Sequence, residues 1–287
     1  MIYKPTKISN ALDITELFCL YLQHFCQGYV FSGEMHDFWE CVYVIDGEVC
    51  ISSDERMYNL RKGDIVFHKP QEFHKFHIEN PSGATILDFS FSSDGEFAER
   101  MADKVCHLTE EQNAIMLMFI SYLKREFDTH PEVKTKFYFY NALPVFKNDT
   151  VFLQTVRLYI LQLILSLSTN EIPLEMVETE ETALLKRAIE KMNNAIETSL
   201  SINVLASDLN ISLSSLKRLF KKHTGLSVYK YYLTLKTRTA TTMLRSGMTV
   251  SEVANKLNFS SPAYFSATYK REAGKNPSED MPSADIK

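Results

Sequence analysis

The chain has 287 residues, 45% of them hydrophobic and 23% charged, which excludes a disordered or fibrous chain and fits a soluble globular protein of two ordinary domains. Its formal net charge of −5 conceals a division: residues 182–287 hold sixteen Lys and Arg against eight Asp and Glu, a formal +8, while residues 1–181 sum to −13. A basic C-terminal third points to a polyanionic partner for that part alone, although a lysine-rich solvated face would give the same charge.

Met1 to Pro5 lack the basic segment and apolar core of a signal peptide, and the most apolar stretch, Leu158 to Leu167, is too short to cross a bilayer and contains Gln162. No membrane association is therefore expected. The five cysteines (Cys19, Cys26, Cys41, Cys50, Cys106) are odd in number and lack CxxC spacing, as expected of reduced thiols in a cytoplasmic protein.

Residues 20–92 read as short strands and turns. Cys41–Ile45 is β-branched and aromatic before the Asp46-Gly47 turn signal, Val49–Ser52 resumes, and Lys62-Gly63-Asp64 precedes Ile65–Phe67, which Pro70 ends. Thr85–Phe91 alternates apolar and polar positions, and so many short strands predict a β-sandwich or barrel. Helical periodicity then takes over in Glu110–Phe127, with Ile115, Met118, Phe119 and Tyr122 on one face, and in Asp149–Ser168, which is apolar over most of its circumference. A barrel covers one side of such a helix, so the other side predicts a homodimer unless Glu110–Phe127 covers it. Residues 171–181, rich in glutamate and containing Pro173, read as an acidic linker between an N-terminal domain over 1–170 and a helical domain over 182–287.

The helical domain repeats itself. Leu205-Ala206 recurs as Val253-Ala254, Leu209-Asn210-Ile211-Ser212 as Leu257-Asn258-Phe259-Ser260, Phe220-Lys221-Lys222 as Tyr269-Lys270-Arg271, and Gly225 as Gly274. Each copy has the parts of a helix-turn-helix, over 203–225 and 251–274: a small residue where two helices cross, an Asn that tolerates the left-handed turn, an apolar plug, a Ser cap and a closing Gly. The second helix of each copy sends cations outward. The candidate DNA contacts are Ser212, Ser214, Ser215, Lys217, Arg218 and Lys221 in the first copy, and Ser261, Pro262, Ala263, Ser266, Lys270 and Arg271 in the second, with Ala267 beside them.

With Lys236 and Ala240 between the copies, then Val250–Ala254, Tyr264-Phe265 and Pro277, residues 182–280 resemble the DNA-binding domain of the AraC/XylS transcription regulators. Asn258 departs from the Gly usual in that family, and the groove-facing positions of the second copy are small and uncharged. The N-terminal half carries a second resemblance. Gly28, Glu34, His36, Glu40 and Gly47 follow the first cupin motif with Glu34 in place of its first His, and Gly63 and His74 follow the second motif. The fold implied is multidomain: a cupin-like β-barrel with two following helices, then an all-α domain with two helix-turn-helix motifs.

The resemblance implies a cytoplasmic, sequence-specific regulator of transcription, not an enzyme. Its partners would be double-stranded DNA, a second copy of itself, a small organic effector and, for an activator, RNA polymerase. Glu34, His36, Phe38, Glu40 and His74 are the candidate effector residues, with Phe38, Tyr43, Phe67 and Phe76 read either as pocket wall or, the better reading for each, as plain core, Trp39 facing away, and His68 and His77 at the surface or rim. No cofactor is expected. Two alternatives stay open: a metal-dependent cupin enzyme using Glu34, His36, Glu40 and His74, fused to a DNA-binding domain, and a regulator without an effector.

Overall fold

The computed structural model describes residues 6, 12–54, 56–93, 100–130, 133, 141–167, 172–174 and 179–281. The chain divides into two compact units, one of residues Met1–Phe31, Phe38–Ile51 and Tyr58–Met176, the other of Ser32–Asp37, Ser52–Met57 and Val177–Lys287. The first is built on strands β1 (Glu16–Phe25), β2 (Val30–Glu34), β3 (Trp39–Ser53), β4 (Arg56–Arg61), β5 (Asp64–His68), β6 (His74–His77), β7 (Ala84–Ser92), β8 (Val105–His107) and β9 (Ile172–Pro173). They form one sheet in the order β1-β7-β3-β5-β8-β9, with β4 on β3 and β6 joining β3 to β2. The sheet is cupin-like, as the motif spacing implied, but among the described residues it does not close into a barrel. β9 lies where the sequence predicts linker, and it pairs with β8 through Cys106 and His107.

Alternation sorts this sheet into two apolar faces. Trp39, Cys41 and Tyr43 of β3, Ile65 and Phe67 of β5, and Leu87, Phe89 and Phe91 of β7 join one core with helices α1 (Glu110–Asp128) and α3 (Thr150–Ser166). The short α2 (Leu143–Phe146) adds Phe146, whose ring stacks on Phe152 at 3.8 Å. Val42, Val44, Val66, Ile86 and Val105 point the other way into a second core with Phe25, Ile51 and Leu60. Gly47 makes the β3 turn feasible: its φ is +83°, and a Cβ there would stand 2.2 Å from the Gly83 carbonyl oxygen.

Helix α1 starts at a capping box, Thr109 with Gln112, and α3 at the Asp149 side chain, which accepts from the Phe152 amide. The predicted cover of α3 by Glu110–Phe127 is present on one side: Phe152, Val156, Ile160, Leu163 and Ile164 are buried in the core they share with Met116, Phe119, Ile120 and Leu123. The opposite side keeps an apolar stripe at seven-residue spacing, Val151, Leu158 and Leu165, exposed by 75, 60 and 47%.

The second unit comprises α4 (Glu180–Asn194), α5 (Ile202–Asp208), α6 (Leu213–Thr224), α7 (Val228–Arg245), α8 (Val250–Lys256), α9 (Pro262–Ala273) and a 3-10 turn over Pro277–Asp280. It holds two cores joined by α7. Val228, Tyr231, Tyr232 and Leu235 of α7 pack with α4, α5 and α6 around Leu216 and Phe220. Ala240 and Leu244, further along the same helix, pack with α8 and α9 around Val253, Phe265 and Tyr269. Asp280 ties the end of the unit to α7, accepting from Tyr269 Oη at 2.6 Å and from Arg245 Nε at 3.2 Å, with Lys275 Nζ at 3.0 Å.

Candidate nucleic-acid interface and effector site

The two turns between α5 and α6 and between α8 and α9 share one geometry. Asn210 and Asn258 both stand in the left-handed region, at φ +55° and +53°. Their amides donate to Ser207 and Asn255 carbonyls at 2.9 and 3.0 Å, and the next amides, Ile211 and Phe259, donate to Ala206 and Ala254 at 3.1 and 2.9 Å. Ser212 then accepts from the Ser215 amide and Ser261 from the Tyr264 amide, each starting a recognition helix. Gly225 and Gly274, at φ +64° and +77°, end those helices. Asn258 therefore supplies the left-handed conformation that the second turn needs, as Asn210 does in the first.

Helix α6 buries Leu216, Leu219 and Phe220 and exposes Ser214, Lys217, Arg218 and Lys221. Lys217 and Arg218 have no acidic partner among the described residues, so their charges face solvent. Lys221 is engaged at the helix end, donating to the Gly225 carbonyl at 2.7 Å. Ser212 is exposed and Ser215 half-buried, their hydroxyls 2.8 Å apart. On α9, Pro262, Ala263, Ala267, Lys270 and Arg271 are exposed and Ser261 and Ser266 half-buried. Arg271 leans on Glu272 at 3.1 Å, and Glu272 also holds Lys230 of α7 at 2.7 Å. The sequence reading missed Tyr264, 44% exposed between Ala263 and Phe265 and linked by its hydroxyl to Tyr229 of α7. Its signal was its place in the first turn of the second recognition helix.

Lys236 holds the two halves of this unit to α7. It is 5% exposed, and its ammonium donates to the Leu257 carbonyl at 2.5 Å and to the Thr198 carbonyl at 3.4 Å. It lies 5.1 Å from the ring centres of both Tyr232 and Phe259. Burial draws its pKa below the usual lysine value.

In the N-terminal sheet, strand pairing lays a polar row across four strands on the face away from α1 and α3. Cys19 pairs with Ser90, Ser90 with Glu40, and Glu40 with His68. Strand alternation over residues 34–40 would turn Glu34, His36, Phe38 and Glu40 to one face. The structure instead ends β2 at Glu34 and starts β3 at Trp39, which leaves Glu34 and His36 in one compact unit and Glu40 and His74 in the other. His74 Nε2 stands 3.3 Å from Glu40 Oε1, and His36 Nε2 stands 3.9 Å from Glu34 Oε1. Glu40 and His74 are buried, His36 is nearly so, and Glu34 opens to solvent.

One expectation for this region changes. His68 is not on the rim: it is 1% exposed, its Nδ1 lies 3.1 Å from Glu72 Oε2, and its ring stacks on His74 at 4.3 Å. Burial, then the neighbouring His74, lower the His68 pKa, with Glu72 opposing. Tyr43 and Phe67 belong to the helix-facing core, because their strand parity is opposite to that of Glu40 and His68. Phe38 stacks on Phe18 of β1 at 4.1 Å, and Phe76 packs with Phe25, Tyr29 and Phe31. Trp39 faces away from Phe38, as expected, into the α1–α3 core. His77 is part-exposed and pairs with Glu79 at 3.1 Å.

A separate groove of about 550 Å³ opens between β1, α2 and α3, lined by Leu17, Phe18, Leu143, Leu153 and Lys147, and shares none of the predicted effector residues. The five cysteines are free. Burial pushes the Cys19 and Cys41 thiols well up and the Cys50 thiol to about 11, so these three are protonated and unreactive at neutral pH. Among the described residues, no helix is long and apolar enough to cross a membrane.

A doubled helix-turn-helix with outward cations, preceded by a sheet whose polar residues converge, defines a two-domain DNA-binding regulator. Comparison with known proteins agrees. Residues 18–106 match the family model of the AraC-like ligand binding domain, and residues 205–281 match that of a helix-turn-helix domain. The chain is 26% identical over 285 residues to the Msm operon regulatory protein of Streptococcus mutans, covering 95% of each. It is 22% identical to the HTH-type transcriptional activator RhaR of Salmonella dublin over 87% of this chain and 86% of that one. A solved AraC-type regulator from Chromobacterium violaceum is 30% identical, covering 37% of this chain and 96% of that one, with a TM-score of 0.34. The chain belongs to the AraC family of transcription regulators. It binds DNA through its C-terminal unit and carries an AraC-like ligand-binding domain before it.

Proposed function

We propose that this regulator is a cytoplasmic homodimer without enzymatic activity. It reads DNA with α6 and α9 in successive major grooves, roughly one helical turn apart. It answers a small effector held at Glu34, His36, Glu40 and His74, and as an activator it would also contact RNA polymerase. The observation that carries the DNA reading is the shared geometry of the two turns around Asn210 and Asn258. The effector reading rests on the buried Glu40–His74 pair of the sheet, 3.3 Å apart. The dimer reading rests on the exposed apolar stripe Val151, Leu158 and Leu165 of α3. Genome-wide mapping of binding sites tests the whole: discrete sites whose occupancy changes with growth condition support it. Uniform, salt-driven binding without preferred sites would refute sequence reading.

A further inference from the structure

The first turn of α7 touches both recognition helices. Val228 and Tyr231 are buried in one core with Leu216 and Phe220 of α6, and the Tyr231 and Phe220 rings meet edge-on with their centres 5.4 Å apart. The two residues between them in sequence reach α9 instead. The Tyr229 hydroxyl is hydrogen-bonded to that of Tyr264 in the first turn of α9, and Lys230 Nζ lies 2.7 Å from Glu272 Oε2 in its last turn. Helix geometry allows this division, because residues three apart share a face while the two between them lie off it.

These contacts fix a direction as well as a distance. Tyr264 and Glu272 are eight residues apart, about 12 Å along α9 at 1.5 Å per residue. A third tie joins α9 to a later part of α7, where the Tyr269 and Thr241 hydroxyls are 2.7 Å apart. One attachment lets a helix swing and two let it roll, whereas three that are not in line hold it. The Lys230 tie is also more than a loose surface pair. The Glu272 side chain is 2% exposed, and its carboxylate is held on one oxygen by Lys230 and on the other by Arg271 at 3.1 Å.

We infer that Tyr229 and Lys230 are positioning residues that set the separation and relative angle of α6 and α9, and thereby the half-site spacing that the protein accepts. Neither needs to touch DNA for this. One base pair inserted between two half-sites moves one of them by about 3.4 Å and turns it by about 35° around the duplex. A rigid pair of reading heads meets such a site only by giving up the ties between α7 and α9 or the contacts of one head. Two hydrogen bonds, each worth roughly fivefold, make that penalty about tenfold or more. The inference rests on the proposed placement of α6 and α9 in successive grooves.

The test uses full-length protein and the DNA site that the wild type selects from a random library, rebuilt with a base pair added to or removed from the segment between its half-sites. Affinity is measured at each spacing for the wild type, the double variant Tyr229→Phe, Lys230→Met, and Lys230→Arg. The wild type should prefer the selected spacing sharply. The double variant should lose about tenfold of that preference, while DNA carrying the α6 half-site alone should bind both proteins alike. The core of Ala240, Leu244, Phe265 and Tyr269 is untouched, so the variant should melt close to the wild type. Tyr229→Phe alone, a milder change, should shift the preference less and in the same direction. Lys230→Arg keeps the cation and should keep the wild-type profile. A double variant that weakens equally at every spacing overturns the inference and makes Tyr229 and Lys230 phosphate contacts or plain supports of the fold. An unchanged spacing preference in the double variant overturns it too. A wild type indifferent to spacing overturns the two-groove reading and this inference with it.

Discussion

Replacing Lys236 with methionine keeps the length and apolar stem of the side chain but removes its charge, and the consequences can be worked through contact by contact. The ammonium donates at 2.5 Å to the Leu257 carbonyl, the group that closes α8 just before the left-handed Asn258. Loss of a hydrogen bond from a charged donor costs about 1.5–3 kcal/mol, and the two ring contacts at 5.1 Å add about 0.5–1 kcal/mol each. Against this stands the relief of a buried cation, which the lowered lysine pKa reports and which offsets a good part of the sum. A net loss of about 2 kcal/mol remains, or roughly 10 °C in the melting of a unit of about 100 residues. Because the lost contact lies at the α8–α9 turn, the effect should be local. Footprinting should show protection retained where α6 binds and lost where α9 binds, and Lys236→Arg should restore much of it. A Lys236→Met protein that melts like the wild type and protects both half-sites would refute the assignment of Lys236 as the residue that seats the second recognition helix.

Other outcomes follow from the same structure. Burial acts to raise the Asp280 pKa, but hydrogen bonds from Tyr269 and Lys275, with Arg245 nearby, outweigh it and hold the value below that of a free Asp. A depressed folded pKa stabilises above the unfolded value of 3.8 and ceases to do so as pH falls through the folded value. The C-terminal unit should therefore lose stability as pH falls below the free-Asp value of 3.8, and Asp280→Asn should lower stability at pH 7 while flattening that acid limb. Site selection from random DNA should return one well-defined and one degenerate half-site, because Lys217 and Arg218 can donate to guanine O6 and N7 while Pro262, Ala263, Ser266 and Ala267 cannot form a bidentate pair with it. Lys217→Ala should relax the defined half by about 1–3 kcal/mol of discrimination, and Lys270→Ala should weaken all sequences alike. Equal information in both halves would contradict this. Leu158→Glu, on the exposed stripe of α3, should yield monomers in sedimentation with little change in melting temperature, and a wild type that is already monomeric would remove the basis for the dimer.

The helix-turn-helix pair was legible because each of its parts has a local cause. An Asn at a left-handed turn, a Ser that accepts from an amide two or three residues on, and a Gly after the last turn are written in single residues, and the repeat writes them twice. Faces of the sheet were harder to read. Tyr43 and Phe67 look like pocket residues by type, yet their parity relative to Glu40 sends them toward α1 and α3. The same parity argument, applied to β5, would have placed His68 beside Glu40 and out of solvent. The break between β2 and β3 could not be read from alternation, which assumes a continuous strand through residues 34–40. Lys236 was seen as part of a family pattern, but its partners Leu257 and Thr198 are distant in sequence, and no local rule pairs a lysine with a carbonyl 21 residues away.

The 18 residues of α7 span about 27 Å and carry a complete reading head on either end, each with different chemistry at its tip. On the proposed reading a single chain would meet DNA as an arrow, not as a mirror: α6, with its lysine and arginine, would lead, and α9, with its small side chains, would follow. A site matched to such a chain has no need of two-fold symmetry, and it has a direction along the duplex. Turning that site end for end beside a promoter would reverse which face of the regulator, and which unit of it, lies toward the start of transcription.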